Sequence, residues 1–124
     1  KIMSLETGIF QPEAVTIVKR LGMKQRTINF DITETSDGYQ WYSATLPLGQ
    51  WSYGSIVRAI IYARYTADQI EAINSNISRI FLDPTTVPAE KAAEYRAEAL
   101  ALQKWRDHAK TIAKELLDNS SQQP

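Results

Sequence analysis

The sequence predicts an α+β fold: an N-terminal antiparallel β-hairpin or three-stranded sheet, followed by three helices, the last one long. Three observations carry that expectation. Up to about residue 50 apolar residues alternate with polar ones, and beyond it they recur at steps of three and four. The two patterns follow one another rather than interleaving, which separates α+β from β-α-β chains. The chain has 124 residues, 44% hydrophobic and 23% charged, values of one ordinary globular domain. The expected layout is a single domain over 1–118, with its sheet at about 14–47, helices at about 53–65, 67–82 and 88–118, and a disordered polar tail over 119–124.

The segment before the hairpin reads two ways. Pro12 near the start, Ala14, Ile17, Val18 and Leu21 at helical steps, and Gly22 at the end suit a short helix. Val15-Thr16-Ile17-Val18, all β-branched, suits a strand, which would give a three-stranded sheet. The strand is preferred. The hairpin is clearer. Arg26 to Glu34 alternates, with Ile28, Phe30 and Ile32 on one face, and Tyr39 to Leu46 returns towards Pro47. A two-residue Asp37-Gly38 loop would oppose Ile32 to Ser43 and Phe30 to Thr45, mixing the faces. A three-residue Ser36-Asp37-Gly38 loop pairs Thr35 with Tyr39, Ile32 with Tyr42, Phe30 with Ala44 and Ile28 with Leu46. In that register Gly38 takes a left-handed position. Trp41 then lies on the wetter face with Asp31, Thr33, Ser43 and Thr45.

Ser52 can cap a helix from Tyr53, apolar on nearly every side and so central to the packing. Thr66-Ala67-Asp68-Gln69 reads as a capping box for a second helix with Ile70, Ile73, Ile77 and Ile80 or Phe81 in its stripe. Asn74-Ser75-Asn76 should weaken its later half, and Asp83-Pro84 should end it. From about Pro88 to Asp118 a long helix carries Ala92, Tyr95, Ala99, Leu102, Trp105, Ala109, Ile112 and Leu116 in one stripe. Its length, roughly 45 Å, exceeds what a small domain covers. Glu90, Glu94 and Glu98 precede Arg106, Lys110 and Lys114 along it, acid first and base last.

Composition removes several functions. The 14 Lys and Arg balance the 14 Asp and Glu, which argues against general nucleic-acid binding. Without cysteine there is no disulfide, thiol nucleophile or Cys-ligated metal, and with a single histidine, His108, no multi-His metal site. Neither a calcium loop nor a phosphate-cradling glycine motif is present, and no cofactor is expected. No apolar run is long enough to span a membrane, since Arg58 and Arg64 interrupt the longest. The first six residues lack the apolar centre of a signal peptide, and a removed leader stays open.

His108 is the single histidine, the residue type most often used to carry a proton near neutral pH. Lys104, Trp105, Thr111 and Ile112 lie within helical reach of it, and a catalytic role would need a partner supplied by the fold. Asp31, Glu34 and Asp37 are carboxylates that turns favour on their own account. Two sets of residues invite a binding reading. Trp41, Trp51 and Tyr53 could floor a groove for a sugar ring, an extended peptide or a base, or close the core. Tyr95, Leu102, Trp105, Ile112 and Leu116 could be core or a surface for a partner chain.

The run Ala44-Thr45-Leu46-Pro47-Leu48-Gly49-Gln50-Trp51-Ser52-Tyr53-Gly54-Ser55-Ile56-Val57-Arg58-Ala59-Ile60-Ile61 resembles small uncharacterised proteins encoded in prophage-type tail gene clusters of gut bacteria. Tyr65-Thr66-Ala67-Asp68, Ala72 to Asn76, and Gln103 to Lys110 are similar to them too. The Gln103-x-Trp105-Arg106 core is also like that of phage tail-fibre assembly proteins. The resemblance implies a non-enzymatic structural or assembly role, cytoplasmic or virion-associated. Its partner would be a second copy or another phage structural protein. It supplies no catalytic residues. The alternative expectation is a small module that binds a glycan or peptide through Trp41, Trp51 and Tyr53.

Overall fold

Alternation puts Ile28 and Phe30 of one strand and Ala44 and Leu46 of the next on a single face, and that face nucleates the fold. The computed structural model describes residues 3–20 and 22–121. Four strands, β1 (Glu6–Gly8), β2 (Val15–Arg20), β3 (Met23–Thr35) and β4 (Gly38–Pro47), form an antiparallel sheet in the order β1-β4-β3-β2. Three helices follow, α1 (Tyr53–Arg64), α2 (Ala67–Leu82) and α3 (Ala89–Ser121), with a single 3-10 turn at Pro84–Thr86 between the last two. The fold is α+β, as expected, with one strand more than anticipated. That strand, β1, is three residues long and carries no alternation to read.

The β-branched run resolves as β2, paired with β3 from Val15↔Ile28 to Arg20↔Met23. The β3–β4 register differs from the expected one. The turn is Ser36-Asp37, between Thr35↔Gly38, and beyond a bulge the pairs are Phe30↔Tyr42 and Ile28↔Ala44. The bulge inserts one residue in β3 between Phe30 and Thr33, and Asp31 there has φ +53°. Asp is among the few residues that tolerate this conformation. Against the expected pairing the ladder is offset by two below the bulge, so Ile28 and Phe30 keep their face although the register differs. Beyond the bulge the offset is one: Thr33 pairs with Gln40 instead of lying opposite Trp41, and Asp31 reaches α3 instead of lying on the wetter face.

The outer face is polar. Asn29 is buried there with its side chain satisfied: it donates to the Glu13 carbonyl at 2.8 Å and accepts from Ser43 Oγ at 2.9 Å. The inner face is covered by α1 and the later half of α3, giving one core of Ile28, Phe30, Ala44, Leu46, Ile56, Ile60, Ile61, Trp105, Ala109, Ala113 and Leu116. Arg26 ties the β4–α1 connection to this layer. It donates to the Leu48 carbonyl at 3.0 Å and lies 4.8 Å from the Trp51 ring centre.

Ser52 caps α1 by accepting from Ser55 N–H, and Thr66 and Gln69 form the expected capping box on α2. α2 does not break at Asn74-Ser75-Asn76 but runs unbroken to Leu82. Ile73 and Ile80 are buried and Ile77 half-buried on the side facing α3, and that packing outweighs weak propensity. α3 continues to Ser121, three residues past the expected end, so the expected tail is helical over 119–121, and 122–124 lie outside the described residues.

Candidate functional site

The α3 stripe is largely committed to the chain's own interior. Leu102, Trp105 and Leu116 are buried, and Tyr95 and Ile112 are half-buried. Trp105 is held on three sides. Its Nε1–H donates to the Ile60 carbonyl at 3.1 Å, Phe30 tilts against it at 6.0 Å, and the Arg64 guanidinium lies 4.9 Å from its ring centre. Such a side chain offers no surface to a partner while the fold is closed. The sequence holds the stripe but not its cover, because the cover comes from α1 and the sheet, distant in the chain.

The fold supplies the partner that His108 lacked locally. His108 Nε2 lies 2.7 Å from Asp31 Oδ1, across 77 positions of chain, and the imidazole sits 5.4 Å from the Trp105 ring. The contact joins α3 to the β3 bulge. The positive φ of Asp31 is part of the bulge geometry that brings its carboxylate to the helix. The pair is an ion pair when the imidazole is protonated, and otherwise a hydrogen bond from the neutral ring N–H to the carboxylate. Chemically an Asp–His couple can orient an imidazole as a base, but its side chains are 34–41% exposed. No further polar side chain is hydrogen-bonded to it among the described residues, and Thr111 turns its hydroxyl to the Asp107 carbonyl instead. Glu34 and Asp37 are exposed near the turn.

The three aromatic candidates do not converge. Trp41 lies half-buried on the outer sheet face, where a methyl group added to Gly8 would come within 3.0 Å of its ring. Trp51 packs on the opposite side, against the core beneath Arg26. Tyr53, in the first turn of α1, is 45% exposed and borders a separate depression with Ile70 and Arg106. The structure therefore gives each ring its own neighbourhood rather than one ligand floor.

Two other surfaces stand out, neither of them marked by a sequence motif. The first is a groove of about 460 Å³ between β4 and α1, lined along one wall by Ser43 to Pro47 and along the other by Ser55, Arg58, Ala59, Tyr62 and Ala63. The second is the helical hairpin of α2 and the first half of α3. Its own small core contains Ile73, Ile80, Ala92 and Leu102, apart from the main one. At its tip Phe81 and Leu82 are 77% and 84% exposed.

No family model, curated protein or solved structure matches this chain. No helix among the described residues is long and apolar enough to cross a membrane. Nor does any group of three or more His, Asp or Glu side chains among those residues come together to hold a metal ion.

Proposed function

We propose that this chain is a non-enzymatic structural or assembly protein, of the phage-derived kind its sequence resembles, acting through protein–protein contacts of its C-terminal helix. The contacting part is the arm that α3 forms with α2, not the buried stripe around Trp105. One observation carries this reading: adjacent large apolar side chains, Phe81 and Leu82, stand in solvent at the end of a projecting helical hairpin. They add nothing to the chain's own core, and exposed apolar residues placed together are characteristic of contact sites. The partner proposed is a second copy, each arm lying along the later half of the other's α3 about a two-fold axis. Glu90, Glu94 and Glu98 lie exposed on the arm, and Lys110 and Lys114 lie exposed on the later half of the same helix. An antiparallel approach sets acid against base, whereas a parallel one sets like against like. So small an apolar contact gives a weak complex, with Kd on the order of micromolar.

Light scattering of the full chain at tens of micromolar tests the proposal. The expected result is a dimer that Phe81→Glu with Leu82→Glu returns to monomer, with the melting temperature unchanged at concentrations below the Kd, and that Lys110→Glu weakens in a salt-dependent way. A parent protein that stays monomeric overturns it.

A further inference from the structure

We propose that the trough where α1 meets the start of α2 and the middle of α3 binds a small organic anion, an apolar body carrying one carboxylate or phosphate group. This site is separate from the arm and does not depend on the dimer proposed above.

The trough is built by helix geometry. Tyr53, Val57 and Ile61 form one row of α1 at steps of four, and Gly54, Arg58 and Tyr62 form the row beside it. Ile70 of α2 and Arg106 of α3 complete the lining, so none of it comes from the ends of the chain. From Tyr53 to Tyr62 the helix runs about 13 Å at ~1.5 Å per residue. Ile61 is buried, and Val57 and Ile70 are half-buried against the main core, which fixes an aliphatic floor. The volume, about 310 Å³, lies at the lower end of the range for ligand sites and suits a small molecule.

Its charges are of one sign. Arg58 and Arg106 line the trough and no carboxylate does. Arg106 is half-buried, yet its guanidinium has no hydrogen bond, ion pair or ring contact among the described residues. A charge partly withdrawn from water without a protein acceptor is a cost that a bound anion removes. Arg58 is exposed and equally unpaired. The surrounding carboxylates do not cancel this. Asp107, beside Arg106, accepts from Gln103 at 3.0 Å. Asp68 and Glu71 flank Ile70 in sequence but do not line the trough. Glu6 lies in the β4 groove, across the ridge that Arg58 and Tyr62 form, and makes no ion pair with Arg58. From Gly38 to Ala67 the chain holds no Asp or Glu at all. The start of α1, at Tyr53 and Gly54, adds the partial positive charge of a helix N-terminus.

These features together select the occupant. A guanidinium pairs with carboxylate or phosphate through parallel N–H donors. Tyr53 and Tyr62, 45% and 46% exposed, offer ring faces and hydroxyl donors on either side. A bare inorganic anion would leave the aliphatic floor uncovered, and an uncharged apolar molecule would leave Arg106 unpaired. The zero net charge of the chain gives no field to draw in a polyanion, so two arginines here fit a small anion and not nucleic acid.

The test titrates the full chain with octanoate and with phenyl phosphate at constant ionic strength, following amide and arginine side-chain resonances, with inorganic phosphate and hexanol as controls. The expected result is a saturable shift of the Arg58 and Arg106 side chains, of amides from Tyr53 to Tyr62 and of Ile70. Binding of one probe alone names the headgroup, carboxylate or phosphate, and supports the proposal. Arg106→Met keeps the apolar stem and Arg58→Gln is at an exposed position. Both should melt like the parent yet bind about tenfold more weakly, a loss of roughly 1.4 kcal/mol. Inorganic phosphate binding as tightly as phenyl phosphate would reduce the trough to an ion site and overturn the proposal. Hexanol binding as tightly as octanoate would overturn it too, as would no saturable shift with either probe up to about 10 mM.

Discussion

Gly38 has φ +148°, and a Cβ built on it would run into the carbonyl oxygen of Gly8. Two independent physical costs therefore fall on any substitution: a positive φ that L side chains resist, and the displacement of β1 from the hairpin. Gly38→Val is expected to destabilise the protein by about 1 kcal/mol or more, read as a lowered urea midpoint. A midpoint equal to the parent's would refute this. The sequence pointed to a positive φ at Gly38, though from another turn, and could not show the collision with Gly8, because β1 was invisible in it. Asp31 was legible only as a polar residue on an alternating strand. Its positive φ and its contact with His108 both come from a bulge that no spacing announces. This separates two substitutions. Asp31→Gly loses the contact, an exposed pair worth about 0–1 kcal/mol, but relieves the backbone. Asp31→Ala loses the contact and keeps the strain, so it is expected to be the less stable of the two by about 1 kcal/mol. Equal melts for the two variants would show that the backbone at the bulge relaxes.

At the scale of elements, capping signals survived translation into structure better than propensity did. Ser52 and the Thr66–Gln69 box mark the starts of α1 and α2 because a cap is a local contact within one turn. Thr66→Ala is therefore expected to cost about 1 kcal/mol in chemical denaturation. Asn74-Ser75-Asn76 failed as a breaker because the helix is held from outside by α3, which the local sequence does not contain. The same distinction governs α3. Its stripe at steps of three and four is plain in the sequence, but whether it faces the chain's own core or another chain depends on where α1 and the sheet lie. Trp105 decides between those readings. It is only 6% exposed and donates to the Ile60 carbonyl, so its change to Ala is expected to cost roughly 3–5 kcal/mol, in a melt independent of protein concentration. A loss smaller than about 1 kcal/mol would return Trp105 to the surface.

The whole molecule is two packed units strung on one helix. From Trp105 onward α3 belongs to the main core with the sheet and α1, while its first half shares a smaller core with α2 alone. A helix about 50 Å long at ~1.5 Å per residue joins them without a loop. The arm's core rests on Ile73, Ile80, Ala92 and Leu102, with half-buried Ile77 and Tyr95, and has no sheet behind it. Hydrophobic stabilisation scales with the apolar area removed from water, so the arm has less to hold it than the body. Local opening should therefore begin at the arm and stop where α3 enters the main core. Native-state hydrogen exchange is expected to rank amides of α2 and of Ala92 to Ala99 as faster than those of Ala109 to Leu116, although all lie in helix. Leu102→Ala should widen that gap, because it removes a buried side chain from the arm and leaves the contacts of Trp105 with the sheet in place. Uniform protection along α3, or a Leu102→Ala protein that opens arm and body together, would mean that the helix transmits stability between the two cores and that they unfold as one.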